Sequence, residues 1–215
     1  MSNGFTEMLD RAQAFYGALA RNNSKDWFEP RKAQWKADIE GPATLLTEIV
    51  AEELSRMTGL GHTPKLFRIY RDVRFSGDKT PYKTRLGMLW SPVEPAPLFY
   101  FAIDPDRTHV GCAAQGLDKD GITRFRALVD RDGDRLQQLI DDSGGTLTSI
   151  GAAPLKRVPK PYAANHPHAE LLRRRSLALS LPLADGWRAG DGLVAALIDR
   201  FQVLMPVRDF LARSL

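Results

Sequence analysis

The fold is decided by the stretch Leu98-Phe-Tyr-Phe-Ala-Ile-Asp-Pro-Asp-Arg-Thr-His-Val-Gly-Cys-Ala113. Two runs rich in β-branched and aromatic residues, 98–103 and 108–113, flank a short polar connection, and such runs predict β-strands. The connection Asp104-Pro-Asp-Arg107 is short enough for a hairpin. Parallel neighbours would need a long crossover, so the two strands are predicted to pair in the antiparallel sense.

Segments on both sides of this hairpin complete a predicted α+β domain. Short apolar runs bounded by turn residues predict three further strands, over 66–75, 86–90 and 176–183. Apolar side chains at helical spacing predict helices over about 5–19, 24–39, 42–57, 119–131 and 133–143, and from 191 onward. The chain, 1–215, is therefore predicted to be one domain, with N-terminal helices packed on a mainly antiparallel sheet and a closing C-terminal helix.

Helix ends are predicted from residues that disfavour or terminate helices. Ser24 can cap the second helix. Gly41-Pro42 is predicted to break it, and Gly59 is predicted to end the third. Gly144-Gly145 stops the fifth, while Pro206 removes a backbone donor and is predicted to kink or restart the last helix.

Composition excludes several classes of protein. The 215 residues carry a formal net charge of +4 and a single cysteine, Cys112, which fits a reducing compartment and is predicted to be a buried apolar residue. The longest stretch without a charged residue, 143–155, is too short to cross a bilayer. The N-terminus shows no secretory signal, so the protein is predicted to be cytoplasmic. Four histidines and one cysteine do not form a zinc-ligand pattern, and no metal site is predicted.

Positive charge is concentrated in two segments. Residues 65–85 contain seven Lys or Arg and two Asp, and residues 156–175 contain six Lys or Arg and one Glu. Two basic segments favour an anionic partner. If the segments fold against each other, they could line one basic groove that binds nucleic acid, although no nucleic-acid-binding motif is present.

The most unusual stretch is Arg68-Ile-Tyr-Arg-Asp-Val-Arg-Phe-Ser-Gly-Asp-Lys-Thr-Pro-Tyr-Lys83. In a strand, alternate residues share a face, so Arg68, Asp72 and Arg74 are predicted to lie together. Arg71 then falls on the apolar face, where it is predicted to be substantially buried and paired with an acid, or to lie at a bulge.

Guanidinium groups in this arrangement suit a phosphate or a carboxylate, because they donate paired hydrogen bonds in one plane. Asp72 would orient an arginine or act as a general base, and Tyr82 would donate a hydrogen bond or a proton. The predicted ligand-binding residues are Arg68, Arg71, Arg74, Asp78, Lys79 and Lys83. The alternative is a non-enzymatic scaffold in which the same residues form a structural ion-pair network. No cofactor is indicated.

The chain resembles the uncharacterised bacterial family known as domain of unknown function 2461. The resemblance is carried by Arg68-x-x-Arg71-Asp72-x-Arg74-Phe75, Asn22-Asn23-x-x-x-Trp27-Phe28, Leu155-Lys156-Arg157-x-Pro159-Lys160-x-Tyr162, His166-Pro167 and Pro206-x-x-Asp209-Phe210-Leu211. Pro161 stands where the family pattern has Gly. The resemblance spans nearly the whole chain and implies a shared fold and a shared site, but no reaction.

Overall fold

A computed structural model describes residues 3–148, 150–151 and 153–213. The helices are α1 (Asn3–Arg21), α2 (Lys25–Phe28), α3 (Lys32–Trp35), α4 (Gly41–Thr58), α5 (Lys119–Ser143), α6 (Ala169–Leu172) and α7 (Leu193–Ala212). The strands are β1 (His62–Leu66), β2 (Leu86–Pro92), β3 (Leu98–Ile103), β4 (Thr108–Ala114), β5 (Thr146–Thr148) and β6 (Leu177–Pro182). Short 3₁₀ turns occupy Glu29–Arg31 and Trp187–Ala189, and a π-helical turn occupies Lys36–Glu40.

The six strands form one sheet in the order β1-β2-β3-β4-β6-β5, and every neighbouring pair is antiparallel. The hairpin predicted at the centre is confirmed: Phe101 pairs with Val110, and the Asp104 N–H donates to the Arg107 carbonyl at 2.8 Å. The α+β fold predicted from the sequence is therefore the observed one.

The helices pack on one face of the sheet. Phe201 of α7 lies 4.7 Å from Phe99 and 5.6 Å from Trp90, measured between ring centroids. The Trp90 indole N–H donates to the carbonyl of Thr47 in α4 at 2.8 Å. Residues that alternate with these point away from the helices, and this second face, called here the outer face, carries Tyr100 among others. Among the described residues, no helix is long and apolar enough to cross a membrane.

Two of the predicted helix ends near the N-terminus are confirmed and one prediction is wrong. Ser24 caps α2 by accepting a hydrogen bond from the Trp27 N–H at 3.3 Å, and Gly59 ends α4 at φ 70°. Gly41-Pro42 does not break the chain's helical path. A π-helical turn precedes Gly41, which keeps helical angles, and Pro42 lies in the first turn of α4, where a missing N–H is tolerated.

The two helices predicted over 119–131 and 133–143 are both present within α5, separated at Asp132, whose backbone angles are not helical (φ −127°, ψ 25°). The neighbouring Gly133 allows a close contact, since a Cβ there would lie 2.3 Å from Cδ2 of His168. Gly144 ends α5 at φ 63°, as predicted. Pro206 lies inside α7, which does not restart there.

The strand predicted over 66–75 is wrong. The strand that pairs with β2 is His62–Leu66, and the chain leaves the sheet after Phe67, whose N–H still donates to the Gly87 carbonyl at 2.9 Å. Beyond that point only an isolated bridge, between Tyr70 and Tyr82, has strand pairing among the described residues of the segment. In this segment, charged side chains form hydrogen bonds with nearby backbone and hydroxyl groups. These bonds replace the backbone pairing of a β-strand, which explains why the alternating pattern of residues predicted a strand that does not form.

Candidate functional site

Residues 67–85, called here the arginine loop, connect β1 to β2 and fold back on themselves. The Arg71 N–H donates to the Pro81 carbonyl at 2.9 Å, and the Lys83 N–H donates to the Ile69 carbonyl at 2.7 Å. The loop is therefore an irregular hairpin whose two arms are held together by backbone hydrogen bonds, and its charged side chains have defined positions.

The loop is anchored to the N-terminal helices through Tyr82. The Asn23 side-chain amide donates to the Tyr82 carbonyl at 2.9 Å and accepts from the Tyr82 N–H at 3.1 Å. The Tyr82 ring lies 4.4 Å from that of Phe28 and is only 1% exposed. Burial, and then the nearby charge of Glu29, raise the pKa of the Tyr82 hydroxyl. This environment favours an anchor over the proton donor that the sequence suggested.

The distal part of the loop neutralises its own charge. We call Arg71, Asp72, Arg74 and Asp78 the paired half. Arg74 donates to Asp72 through Nε at 3.0 Å and Nη2 at 2.7 Å. Arg71 contacts the Asp78 carboxylate at 2.5 Å and also bonds the Thr80 hydroxyl. The predicted acid partner of Arg71 is thus present, although its side chain is still 25% exposed and lies in a loop.

The pKa values of the two carboxyl groups follow from these contacts. The Arg74 side chain holds the pKa of Asp72 below its usual value. Hydrogen bonds from the Thr80 backbone, from Arg71 and from the Thr80 hydroxyl lower the pKa of Asp78 to about 2. A carboxylate with a lowered pKa is a weak proton acceptor, so the suggested role of Asp72 as a general base gains no support from its surroundings.

The proximal part of the loop has the opposite character. Four cations, Lys65, Arg68, Lys83 and Arg85, come together there, and we call them the cationic cluster. Burial lowers the pKa of Lys83, and the charges of Arg68, Arg85 and Lys65 lower it further. Within the described ranges, no carboxylate oxygen lies within 4.0 Å of a side-chain nitrogen of these four residues. The cluster is therefore a positive surface whose members form no ion pair within 4.0 Å in the described structure, although the charge of Arg68 helps to lower the pKa of Asp72.

Phe67 lies at the centre of the cationic cluster. Its ring is approached by the Lys83 ammonium at 5.1 Å and by the Lys65 ammonium at 5.4 Å. The ring sits over Gly87 of β2, where an added Cβ would be 3.0 Å from the Phe67 Cδ2 atom. The phenylalanine nevertheless remains 37% exposed, on the outer face of the sheet.

The charge of Arg85 links the cluster to the next strands. Burial raises the pKa of Tyr100 in β3 and lowers the pKa of His109 in β4, and the charge of Arg85 makes a smaller, lowering contribution to both. His109 Nδ1 lies 3.2 Å from an Asp104 carboxylate oxygen, and both side chains are largely buried. The outer face beside the cluster thus carries a histidine–aspartate pair.

The structure brings together only some of the residues that the sequence predicted as ligand-binding. Arg68 and Lys83 adjoin each other, since the Lys83 ammonium donates to the Arg68 carbonyl at 2.8 Å. Lys79 lies apart and donates to the Val73 carbonyl at 3.0 Å. Lys65 and Arg85 were missed, although both lie within the basic segment 65–85. Lys65 precedes the motif and Arg85 follows it, so both lie outside the stretch between Asp72 and Asp78, the two aspartates that form its ion pairs.

The second basic segment, 156–175, lies at the other end of the sheet. Arg174 donates to the Thr148 carbonyl of β5 at 2.9 Å, and His168 Nε2 lies 2.9 Å from the Asp134 carboxylate on α5. Strands β1 and β5 are the two edges of the sheet, separated by about 24 Å at the usual strand spacing. The two segments therefore do not form the single groove that the sequence allowed.

The prediction that Cys112 is buried is confirmed. Cys112 is buried in β4, and burial raises the pKa of its thiol to about 12. Across the residues that the structure describes, no group of three or more His, Cys, Asp or Glu side chains is placed to hold a metal ion.

Comparison with known proteins gives one match. A family model described as "Conserved hypothetical protein (DUF2461)" matches residues 11–210, which is nearly the whole chain. No curated protein matches the chain. The match covers both the arginine loop and Asn23, which holds it.

Proposed function

Since the chain belongs to the DUF2461 family of conserved hypothetical proteins, we propose that it binds an anionic small molecule that bears a phosphate or a carboxylate group. The supporting observation is the cationic cluster, in which the positive charges face one another without a carboxylate partner in the described structure. An anion placed among them would relieve that repulsion and accept charge-assisted hydrogen bonds.

The paired half contributes to this function indirectly. Arg74 and Arg71 are already bonded to aspartates, so a ligand would have to displace those contacts before binding them. Their ion pairs, together with the Asn23 contacts to Tyr82, hold the loop that carries Arg68 and Lys83. A preorganised loop lowers the entropy that binding must overcome. The proposed ligand-binding residues are therefore Lys65, Arg68, Lys83 and Arg85.

We propose the bacterial cytoplasm as the compartment, because the lone Cys112 fits a reducing environment and the family resembled is bacterial. The alternative of nucleic-acid binding uses the same cations. It relied on a groove shared by the two basic segments, but the second segment lies at the opposite edge of the sheet. The scaffold alternative explains the paired half and leaves the cationic cluster unexplained.

The test is ligand-dependent thermal stability. Inorganic phosphate, pyrophosphate and citrate are titrated into the protein, since a ligand that binds only the folded state raises the melting temperature by mass action. We expect stabilisation in the wild type, and a loss of affinity of about tenfold or more in Arg68→Gln/Lys83→Gln. Lys79→Gln is a control for the loss of a loop cation, since Lys79 lies apart from the cluster, and it should change the affinity by less than about twofold.

Two outcomes contradict the proposal. Equal stabilisation of the wild type and the double variant would place any anion elsewhere on the protein. No stabilisation by any of the three anions would favour the scaffold alternative, in which the whole loop is structural.

A further inference from the structure

An exposed aromatic ring in the middle of a positive surface is the feature that the proposed function does not use. Within the same loop Ile69 is 2% exposed, so the fold can bury large apolar residues there, yet Phe67 stays 37% exposed. Its two nearest ammonium groups, on Lys65 and Lys83, lie at 5.4 and 5.1 Å from the ring centroid. A flat apolar surface and several cations are thus presented to the same ligand.

The residues beside Phe67 on the outer face are small. Gly87 and Ala102 oppose each other on β2 and β3, next to the phenylalanine, and neither projects beyond a methyl group. Farther across the sheet, Tyr100 lies flat over Gly111, where an added Cβ would be 2.3 Å from the tyrosine Cζ atom. The Phe67 ring is therefore the exposed apolar surface beside the cluster, since Ala102 next to it is only 8% exposed.

From this juxtaposition we propose that the ligand is a nucleoside phosphate, with its phosphate on the cationic cluster and its base stacked on Phe67. The inference rests on the proposed anion-binding function and narrows it to one class of molecule. Stacking between a base and an aromatic side chain is worth about 1–3 kcal/mol, which corresponds to roughly tenfold or more in affinity. Contacts to the phosphate alone cannot make a nucleotide bind more tightly than a phosphate compound without a base, because they do not involve the base.

A simpler role for Phe67 makes a different prediction. An aromatic ring that covers a glycine on a neighbouring strand stabilises a sheet without any ligand. Phe67 over Gly87 has this geometry. Leucine at position 67 would still cover the glycine but offers no π-face, whereas tryptophan keeps a π-face, so the two variants separate covering from stacking.

The experiment compares two ligands that share ribose and phosphate and differ in the base. Adenosine 5′-monophosphate and ribose 5-phosphate are titrated into the full chain by calorimetry. We expect the nucleotide to bind about tenfold tighter or more. Phe67→Leu should remove that difference and leave ribose 5-phosphate binding unchanged, whereas Phe67→Trp should keep it. Arg68→Gln/Lys83→Gln should weaken both ligands.

The outcomes separate the two proposals. Equal affinities for the two ligands, or a preference unaffected by Phe67→Leu, would overturn the inference while leaving anion binding in place. Binding of neither ligand, nor of inorganic phosphate, would remove the proposed function as well. Binding of a single-stranded oligonucleotide with a steep salt dependence, without binding of the mononucleotide, would assign the surface to a nucleic-acid strand and overturn the inference.

Gly87→Ala is an independent positional test. The new methyl group would lie 3.0 Å from the Phe67 ring and force it to shift. The preference for the nucleotide should then fall, while the affinity for inorganic phosphate, which depends on the cations, stays the same. An unchanged preference would show that the ring position does not matter and would overturn the inference.

Discussion

The two halves of the arginine loop both contain two arginines but have opposite electrostatics. In the paired half, Arg71 and Arg74 each contact an aspartate a few residues away. In the cationic cluster, Arg68 and Lys83 face further cations, and burial together with these neighbouring charges lowers the pKa of Lys83. A high density of arginine therefore does not by itself mark a binding surface. What distinguishes the halves is whether an acid lies within reach of each cation.

The largest expected effect disrupts both halves of the loop, because both depend on the anchor Tyr82. Tyr82→Ala removes a side chain that is 1% exposed and packs on Phe28, and we expect a loss of about 3–5 kcal/mol in the free energy of unfolding. Urea denaturation measures it. Phe75→Ala, at a position 97% exposed in the same loop, is the control and should change stability by less than about 0.5 kcal/mol. Similar losses in the two variants would show that Tyr82 is not the anchor.

The second prediction concerns the acid of the paired half. The pKa of Asp78 is about 2, below its ordinary value near 3.8. Because the folded-state pKa is depressed, the stabilisation from Asp78 is complete above about pH 4 and is lost as the pH falls toward 2. An NMR titration of the carboxyl carbon should give this midpoint. Arg71→Met should raise the midpoint, whereas Arg68→Gln should not move it; a midpoint near 4 in the wild type would contradict the ion pair.

The third prediction is that removing an acid from the paired half leaves an arginine unpaired, as in the cationic cluster. Asp72→Asn removes the carboxylate that accepts from Arg74 and leaves that guanidinium unpaired. Freeing Arg74 should raise the affinity for pyrophosphate about two- to fivefold, because its guanidinium no longer has to leave Asp72 before it donates to the ligand. Calorimetry measures the change, and Asp26→Asn, at an exposed acid on α2, is the control for net charge. A weaker affinity in Asp72→Asn would mean that Asp72 holds the ligand site together.

The smallest effect is on the reactivity of Lys83. Its pKa is lowered by burial and by three neighbouring cations, so more of it is neutral than of an ordinary lysine at pH 8 to 9. Acylation by an amine-reactive ester, followed by mass spectrometry, should label Lys83 faster than Lys79 once exposure is taken into account. Arg85→Gln should slow the labelling, because it removes one of the repelling charges. Bound phosphate should slow it too; labelling unaffected by either change would argue against the cluster.

The fold was largely predictable because its signals are local. The runs of β-branched and aromatic residues and the turn residues of 98–113 identified the central hairpin, and Ser24 and Gly59 marked helix ends that the structure confirms. The errors arose where contacts between side chains and backbone groups, and not the residue pattern, decide the local structure. The segment 66–75 alternates like a strand, but its charged side chains bond to nearby loop groups and to each other. The continuous helical path through Gly41 depends on a π-helical turn that no simple residue pattern announces.

The candidate site was predictable as a region but not in its details. The motif pointed to Arg68 and Lys83, and the two aspartates at 72 and 78 lie in the middle of the basic segment. Cations at the ends of the segment therefore have no acid close by in sequence, and this was the available signal for Lys65 and Arg85. That the four converge beside Phe67 depends on the pairing of β1 with β2, which the sequence pattern misplaced.

Strand β1 has a consequence for the protein in concentrated solution. It is an edge of the sheet, and an edge strand with free backbone groups can pair with another chain and start aggregation. Pro64 and the charge of Lys65 both oppose such pairing, and the other edge, β5, is only three residues long. Lys65 thus keeps the molecules apart as well as contributing to the cationic cluster. Replacing Lys65 by a neutral residue would weaken both the resistance to aggregation and the cationic cluster. Variants at Arg68 and Lys83 therefore test anion binding more cleanly.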